Sequence, residues 1–155
     1  MRIVADTNIV VSALLWRGNP RQLLDAARDG IIELFTSAVL LEELEEVLSR
    51  EKFASRLEAA EVTSHELILG YAALATIVEA ESIEPVIVAD PDDDAVLACA
   101  LAAECEVIVS GDSHLLNLKQ YEGVRILRAA ELVSELSLNN RDSNSRKNLR
   151  HDARL

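Results

Sequence analysis

The chain has 155 residues, of which half are hydrophobic, and its formal net charge is −12. Its length and apolar content suit one domain with a sizeable core. Leu, Val, Ile and Ala must fill that core because the chain has only two Phe and one Trp. The acidic balance disfavours a protein that holds nucleic acid by bulk electrostatics, although a bound metal can still change the local field at one site.

The cysteine content and the hydropathy pattern indicate the compartment. Cys99 and Cys105 are too few for a disulfide framework and lack the spacing of a zinc site, so we expect two small core residues of a reducing compartment. No secretory signal precedes the first strand-like run, and no apolar run approaches the ~18 residues of a membrane span. The sequence therefore predicts a soluble, cytoplasmic protein without a membrane partner.

Short apolar strands alternate with longer helices along the chain. The expected strands are residues 3–5, 31–35, 85–88, 107–109 and 124–127. In the first half of the chain, the expected helices are residues 9–16, a segment that begins at Pro20 and ends at Gly30, and residues 38–50, which Ser37 caps. A fourth helix, capped by Thr63 or Ser64, is expected to run to Val78. In the second half, helices are expected after residue 91, as a single turn at 114–118, and at residues 129–136. Five such alternations predict a parallel sheet covered by helices on both faces.

The last residues differ in composition from the rest. Residues 137–155 are rich in Asn, Ser and Arg, and they hold five Lys or Arg against two Asp. Such a segment cannot bury enough apolar surface to fold alone. We therefore expect a globular domain over residues 1–136 and a polar, basic, flexible or loosely docked tail over 137–155.

The most informative stretch is residues 88–112, which begins with a run of carboxylates. Asp90, Asp92, Asp93 and Asp94 fall within five positions, and the stretch has no Lys or Arg. A helix beginning at Pro91 needs only one capping carboxylate. Like charges this close raise each other's pKa unless a cation lies between them. Hard oxygen ligands suit Mg²⁺ or Mn²⁺, so the run indicates a divalent-metal site.

Acidic residues also follow two other expected strands. Asp6 comes directly after the first strand, and Asp112 lies just beyond the strand at residues 107–109. Ligands of an open parallel sheet bind at the carboxyl ends of its strands. Each acid alone is explained as well by helix capping, but three acidic segments at one sheet edge favour the metal site.

A fourth carboxylate comes from the helix capped by Ser37. At ~100° per residue, Glu43 falls inside the apolar arc of that helix, whereas Glu42, Glu45 and Glu46 fall outside it and form a solvated face. A carboxylate among apolar neighbours needs a partner or a cation. Glu43 is therefore a fourth ligand, or it pairs with an Arg, or it snorkels to solvent at the helix edge.

Taken in order, these motifs resemble the PIN-domain family, and most closely its single-domain, VapC-like toxin ribonucleases of toxin–antitoxin pairs. The resemblance covers residues 2–136. It rests on Asp6-Thr7-Asn8, Glu43-Leu44-x-x-Val47-Leu48, Asp93 with Ala98 and Ala100, and Val109-Ser110-Gly111-Asp112.

The resemblance implies an α/β fold, a three-layer α/β/α sandwich with a central parallel five-stranded sheet. It implies a ribonuclease dependent on Mg²⁺ (or Mn²⁺), with RNA as substrate, a small antitoxin as partner, and a homodimer. The implied catalytic and metal-binding residues are Asp6, Glu43, Asp93 and Asp112. The implied supporting polar residues are Thr7, Asn8, Ser12 and Ser110. Whether Asp90, Asp92 or Asp94 also contributes stays open.

Other interpretations compete with a toxin ribonuclease. One alternative is a phosphatase or receiver-like domain. Receiver domains also cluster Asp at strand ends, but they need a Lys after the last strand, where this chain has Arg125 and Arg128. A non-catalytic PIN-like module that binds RNA or protein, and a PIN nuclease of RNA processing without an antitoxin, both remain open. The candidate RNA contacts, for which solvated surface charge is an equal explanation, are Arg17, Arg50, Lys52 and Arg56.

Overall fold

The structure, a computed structural model, describes residues 1–84 and 91–139, without the side chains of residues 91 and 92. The strands are β1 (Arg2–Ala5), β2 (Glu33–Thr36), β3 (Thr76–Ile77), β4 (Val107–Val109), β5 (Gln120–Tyr121) and β6 (Val124–Leu127). The helices are α1 (Thr7–Leu15), α2 (Asn19–Arg28), α3 (Ala38–Leu48), α4 (Ala54–Ala59), α5 (Ser64–Leu74), α6 (Pro91–Ala102), α7 (Ser113–Leu118) and α8 (residues 129–139), with a 3₁₀ turn at Glu51–Phe53.

Within the described residues, one six-stranded sheet with the order β3-β2-β1-β4-β6-β5 organises the fold. The neighbours β3, β2, β1, β4 and β6 pair in parallel, and β5 pairs antiparallel with β6 at the edge of the sheet. The chain builds outward from β1 to β2 and β3, then returns to place β4 on the other side of β1. The order therefore reverses between β1 and β4, and such a switch point opens a crevice at the carboxyl edge of the sheet.

Both faces of the sheet are buried, as the alternation of side chains along its central strands shows. Ile3 and Val107 belong to a core that packs under α1, α2, α3, α5 and α8. Val4 and Ile108 point the other way, into a second core under α6 and α7. This confirms the three-layer α/β/α sandwich, because each central strand contributes apolar side chains to both helical layers.

Several local predictions are confirmed by the capping contacts. The Ser37 hydroxyl accepts from the Leu40 amide at 3.4 Å and begins α3, and the Thr63 hydroxyl accepts from the Glu66 amide at 3.1 Å and begins α5. Pro20 is the second residue of α2, where its missing amide hydrogen does no harm. Cys99 and Cys105 are buried free thiols, and burial raises the pKa of each to about 12.

The predicted helix that runs to Val78 is wrong at its end. Helix α5 stops at Leu74, and Thr76–Ile77 forms β3 beside β2. Three β-branched residues in a row, from Thr76 to Val78, disfavour helix and suit a strand. The parallel sheet keeps five strands because β3 is one of them, while the strand expected at residues 85–88 lies outside the described residues.

Two further differences concern the end of the domain. The sequence gives no sign of β5, which a two-residue turn at Glu122 and Gly123 connects to β6; both turn residues have positive φ, 48° and 82°. Helix α8 runs three residues beyond the predicted end at Leu136, and residues 140–155 lie outside the described part of the chain. Within residues 1–84 and 91–139, every helix is too short or too polar to cross a membrane.

Candidate active site

Four carboxylates from four separate segments line one small cavity at the carboxyl edge of the sheet. The cavity has a volume of about 50 Å³ and lies at the crevice between β1 and β4. The lining residues in the described part of the chain are Asp6, Thr7, Asn8, Glu43, Asp93, Val96 and Asp112. The four acids are those that the sequence motifs single out, and the fold brings all of them together.

Asp6 is fixed by the hydrogen bonding of the central strands. Its amide donates to the carbonyl oxygen of Val109 at 3.0 Å, which extends the β1–β4 ladder by one step. The residue is only 6% exposed. Oδ1 accepts from the Ile9 amide at 3.0 Å and caps α1, and Oδ2 accepts from the Ser110 hydroxyl.

Burial raises the pKa of Asp6, and the negative charge of Asp112 acts in the same direction. The hydrogen bonds from Ser110 and from the Ile9 and Gly111 amides oppose that shift without cancelling it. The charged carboxylate is therefore destabilised by its surroundings, and a cation in the cavity would stabilise it.

Ser110 joins the ends of the two central strands. It is fully buried, and its amide donates to Leu127 of β6 at 3.0 Å. Its hydroxyl donates to Asp6 and accepts from the amide of Asp112 at 3.0 Å. A single hydroxyl thus fixes one acidic residue directly and sets the backbone position of a second.

Asp112 is both a helix cap and a cavity residue. Its Oδ1 accepts from the amides of His114 at 2.8 Å and Leu115 at 3.3 Å, at the start of α7. No described residue donates a hydrogen bond to Oδ2. The capping explanation and the site explanation therefore apply to different oxygens of the same side chain.

Glu43 is turned inward on α3, as the helical arc predicts. It is half-buried, whereas Glu42, Glu45 and Glu46 are exposed. The hydroxyl of Thr7, the first residue of α1, donates to Glu43 Oε2 at 2.7 Å. This contact links two residues 36 positions apart and holds the carboxylate at the cavity wall.

The acidic run contributes Asp93 to this cavity. Asp93 is 7% exposed and lies in the first turn of α6, where the helix dipole favours negative charge. Asp94 lines a different depression, together with Val39 and Ile83. The geometry therefore distinguishes the two neighbours, while Asp90 and the side chain of Asp92 lie outside the described part of the structure.

The supporting residues divide into two groups. Thr7 and Ser110 hold carboxylates, and Asn8 is exposed at the cavity. Ser12 is half-buried one turn further along α1 and is not among the lining residues. Val96 lines the cavity without having been predicted, although its position three residues after Asp93 on a helix could have indicated it.

The candidate RNA contacts lie away from the cavity wall. None of Arg17, Arg50, Lys52 and Arg56 is among its described lining residues. Arg50 pairs with Glu46 at 2.9 Å on the exposed side of α3, so its charge is already compensated. Arg17 follows the C-cap residue of α1, and Arg56 donates to the Leu15 carbonyl oxygen at the end of that helix. The Lys52 ammonium lies over the Phe53 ring, 5.0 Å from its centroid.

The donor set suits a hard divalent cation, although the residues do not form a ready ligand cage. Among the described lining residues, the polar side chains all carry oxygen and none is Lys or Arg. Across residues 1–84 and 91–139, no three His, Cys, Asp or Glu side chains are already arranged to hold a metal ion. Mg²⁺ keeps several waters and often takes only one or two carboxylates from a protein, so this arrangement fits a partly hydrated ion.

Comparisons with known proteins agree with the fold. The sequence model of the PIN domain matches residues 2–114. A search of curated proteins finds no match to the sequence. A similar structure is that of VapBC2 from Rickettsia felis, solved bound to a DNA fragment from its promoter. The TM-score is 0.56 and the identity 14%, and the match covers 81% of this chain and 97% of the matched Rickettsia felis chain. The PIN domain of T. brucei RRP44 gives a TM-score of 0.50, 15% identity, and coverage of 92% and 84%. At such identities the similarity concerns the fold alone.

Proposed function

We propose that this chain, which belongs to the PIN-domain family of nucleases, is a divalent-metal-dependent endoribonuclease. The observation that carries the proposal is the convergence of Asp6, Glu43, Asp93 and Asp112 on one cavity at the switch point of the sheet. Four acids from distant segments repel one another in a partly dry site. Helix capping explains the positions of Asp6 and Asp112, but it does not explain Glu43 in the middle of α3.

The four carboxylates would hold Mg²⁺ or Mn²⁺, which when bound activates a water molecule and relieves negative charge on the phosphoryl oxygens. Asp6 and Asp93 are the buried members of the set, and Glu43 and Asp112 are the half-buried ones. Ser110 and Thr7 act as positioning residues because each donates a hydroxyl hydrogen to a carboxylate. The exposed amide of Asn8 can donate to a phosphate at the mouth of the cavity.

The test is cleavage of a mixed-sequence single-stranded RNA pool with Mg²⁺, with Mn²⁺, and with chelator. Glu43→Gln is compared with Glu45→Gln, which removes the same charge from the exposed face of the same helix. We expect Glu43→Gln to lose more activity than the roughly 10–100-fold that outer-shell partners of metals cost, and Glu45→Gln to match the wild type. Equal activity of the two variants would remove Glu43 from the site. Intact RNA under all metal conditions would favour a non-catalytic binding module.

We further propose that the nuclease is the toxin of a toxin–antitoxin pair in the cytoplasm. The similarity to the VapBC2 toxin–antitoxin complex supports this proposal. The similarity to the RRP44 PIN domain is of comparable strength, so a PIN nuclease of RNA processing without an antitoxin is the second candidate. Expression of the chain alone and together with the product of the adjacent reading frame separates the two. Growth arrest that the neighbour relieves supports the toxin, and unaffected growth supports the second candidate.

Exposed apolar side chains support a protein partner or a second copy. Leu69 on α5 and Ile77 on β3 are both more than half exposed, and Val39 on α3 is similarly open. We propose that such surfaces are covered in a homodimer or an antitoxin complex. Light scattering after size exclusion at micromolar concentration gives the mass of the isolated chain. A monomer mass across the concentration series would count against self-association.

A further inference from the structure

The end of α1 carries an aromatic and basic surface on an otherwise acidic protein. We define the Trp16 patch as the side chains of Trp16, Arg17, Lys52, Phe53 and Arg56. These residues come from the α1–α2 connection, the 3₁₀ turn and the beginning of α4. We propose that the Trp16 patch binds single-stranded RNA, stacking a base on the indole and contacting phosphates through the cations.

The indole is held in place and yet remains accessible. Trp16 is 43% exposed, although it is the only Trp of the chain and could have filled the core. Its ring meets Phe53 edge-on, with 6.0 Å between centroids and 62° between planes. The guanidinium carbon of Arg56 lies 5.9 Å from the centroid of the same ring. A ring fixed by such contacts loses little conformational freedom on binding, which favours base stacking.

The cations of the patch are available for phosphates. Among the described residues, Arg28, Arg50 and Arg125 form ion pairs with carboxylates, whereas Arg17, Lys52 and Arg56 form none. All three of these basic side chains are exposed. Glu51 and Glu58 lie in the same segment and lower the local charge, but neither has an ion-pair partner in the described residues.

Helix capping explains only part of this arrangement. Arg56 Nε donates to the Leu15 carbonyl oxygen at 2.8 Å, and Arg21 donates to the Ala13 carbonyl oxygen at 3.3 Å, so both stabilise the end of α1. Arg17 and Lys52 make no such contact among the described hydrogen bonds. Neither the exposed indole nor these two cations is needed to end the helix.

Helix α1 connects the patch to the candidate active site. Asp6 caps its first turn, and Trp16 is its C-cap residue. Ten residues at 1.5 Å per residue separate the two by ~15 Å. That distance corresponds to roughly four nucleotides at the ~3.4 Å spacing of a stacked strand. On the proposed nuclease function, which this inference extends, the patch would hold single-stranded substrate a few nucleotides from the bond that is cleaved.

The single Trp gives a direct readout that does not depend on cleavage. The full chain in chelator is titrated with a 12-nucleotide single-stranded RNA while Trp fluorescence and RNA anisotropy are followed. We expect quenching, and we expect Trp16→Ala to weaken binding roughly 5- to 150-fold, the range for one base–aromatic stack. Trp16→Phe should retain most of the affinity, and circular dichroism melts identify any variant that fails to fold.

Charge variants test the phosphate contacts. Arg17→Gln and Lys52→Gln should each flatten the log–log salt dependence of affinity by about 0.7. Lys119→Gln is the matched control, since it removes one exposed positive charge beside β5 at the edge of the sheet. If Lys119→Gln flattens the slope as much as the patch variants, binding is diffuse and the proposal is wrong.

Two results would overturn the proposal while leaving the nuclease function standing. RNA cleavage that persists with no fluorescence change and unaltered affinity in Trp16→Ala would show that the substrate does not contact the indole. Quenching by poly-glutamate, with none by RNA, would assign the patch to an acidic protein partner. If cleavage fails but quenching and the Trp16→Ala loss occur, the patch binds RNA in a protein that is not a nuclease.

Discussion

Substitution of Asp6 separates its capping role from its role as a cation ligand. Asn keeps an acceptor oxygen for the Ile9 amide and caps a helix about as well as Asp. It removes the negative charge that burial destabilises. Its amide group can also hydrogen-bond to the Ser110 hydroxyl oxygen. Ala removes the cap, the bond to Ser110 and the charge together.

The contacts of Asp6 give the size of each effect. Loss of an N-cap costs about 0.5–2 kcal/mol, and loss of the hydrogen bond with Ser110 costs about 1 kcal/mol. Asp6→Ala should therefore lower the free energy of unfolding by about 2 kcal/mol, which for a chain of this size corresponds to a Tm lower by about 4–8 °C. In chelator at neutral pH, Asp6→Asn should match or exceed the wild type. The cap is kept, a hydrogen bond from the Asn amide to the Ser110 oxygen replaces the one that the hydroxyl donates to Asp6, and the buried charge is gone.

The same carboxylate makes a pH-dependent contribution to stability. Because the pKa of Asp6 is raised in the folded protein, the folded state binds this proton more tightly than the unfolded state. Its contribution to stability therefore rises as the pH falls from neutral through the folded pKa and levels off below the unfolded pKa. The difference in unfolding free energy between wild type and Asp6→Asn, measured in chelator, should therefore become smaller as the pH falls from 7 to 3.

The assay is a thermal melt of wild type, Asp6→Asn and Asp6→Ala, each in chelator and in Mn²⁺. Wild type should gain stability with Mn²⁺ because the ion binds only the folded site, and neither variant should gain as much. If Asp6→Asn loses as much stability in chelator as Asp6→Ala, the charge itself stabilises the fold and the reasoning is wrong. An undiminished Mn²⁺ effect in Asp6→Asn would remove Asp6 from the ligand set.

Other substitutions test the remaining features. Asp93→Asn should abolish cleavage and leave the Tm in chelator unchanged or higher, because one of four mutually repelling acids is neutralised; a strong loss of stability would indicate a structural cap instead. The Tyr71 hydroxyl is buried without a hydrogen-bond partner in the described residues, and burial raises its pKa, so Tyr71→Phe should raise the free energy of unfolding by about 1 kcal/mol in urea titration. Cys99 and Cys105, whose pKa values burial raises to about 12, should react with a thiol reagent at pH 8 only after denaturant is added; rapid labelling of the native protein would contradict their burial.

The four acids that line the cavity could be picked out from the sequence because each obeys a local rule. Asp6 and Asp112 follow apolar strands, and parallel strands end at the same edge of a sheet. Glu43 falls inside an apolar arc that a helix of 3.6 residues per turn defines. The choice of Asp93 over Asp94 rested on the spacing of the family motif. In the structure the two side chains line different depressions.

The features that the sequence did not reveal depend on contacts between distant segments. Strands β3 and β5 have two residues each, so pairing with β2 and β6 defines them more than any pattern of their own. The bond between Thr7 and Glu43 depends on how α1 packs against α3. Ser12 shares a face of α1 with Asn8, but one helical turn carries it ~6 Å along the axis, beyond the cavity.

The hydrogen bonds that continue the sheet past β1 and β4 tie the site to the cooperative unfolding of the core. The amides of Asp6 and Ser110 donate to Val109 and Leu127, so they close the β1–β4 and β4–β6 ladders in the interior of the sheet. Local openings that expose loop amides have low free energies, whereas amides of core strands exchange with solvent only near global unfolding. Slow deuterium uptake at Asp6 and Ser110 is therefore expected, with rates that follow global stability. Destabilising substitutions deep in the core should then also loosen the positions of the carboxylates through this ladder, although the substituted residues do not contact them.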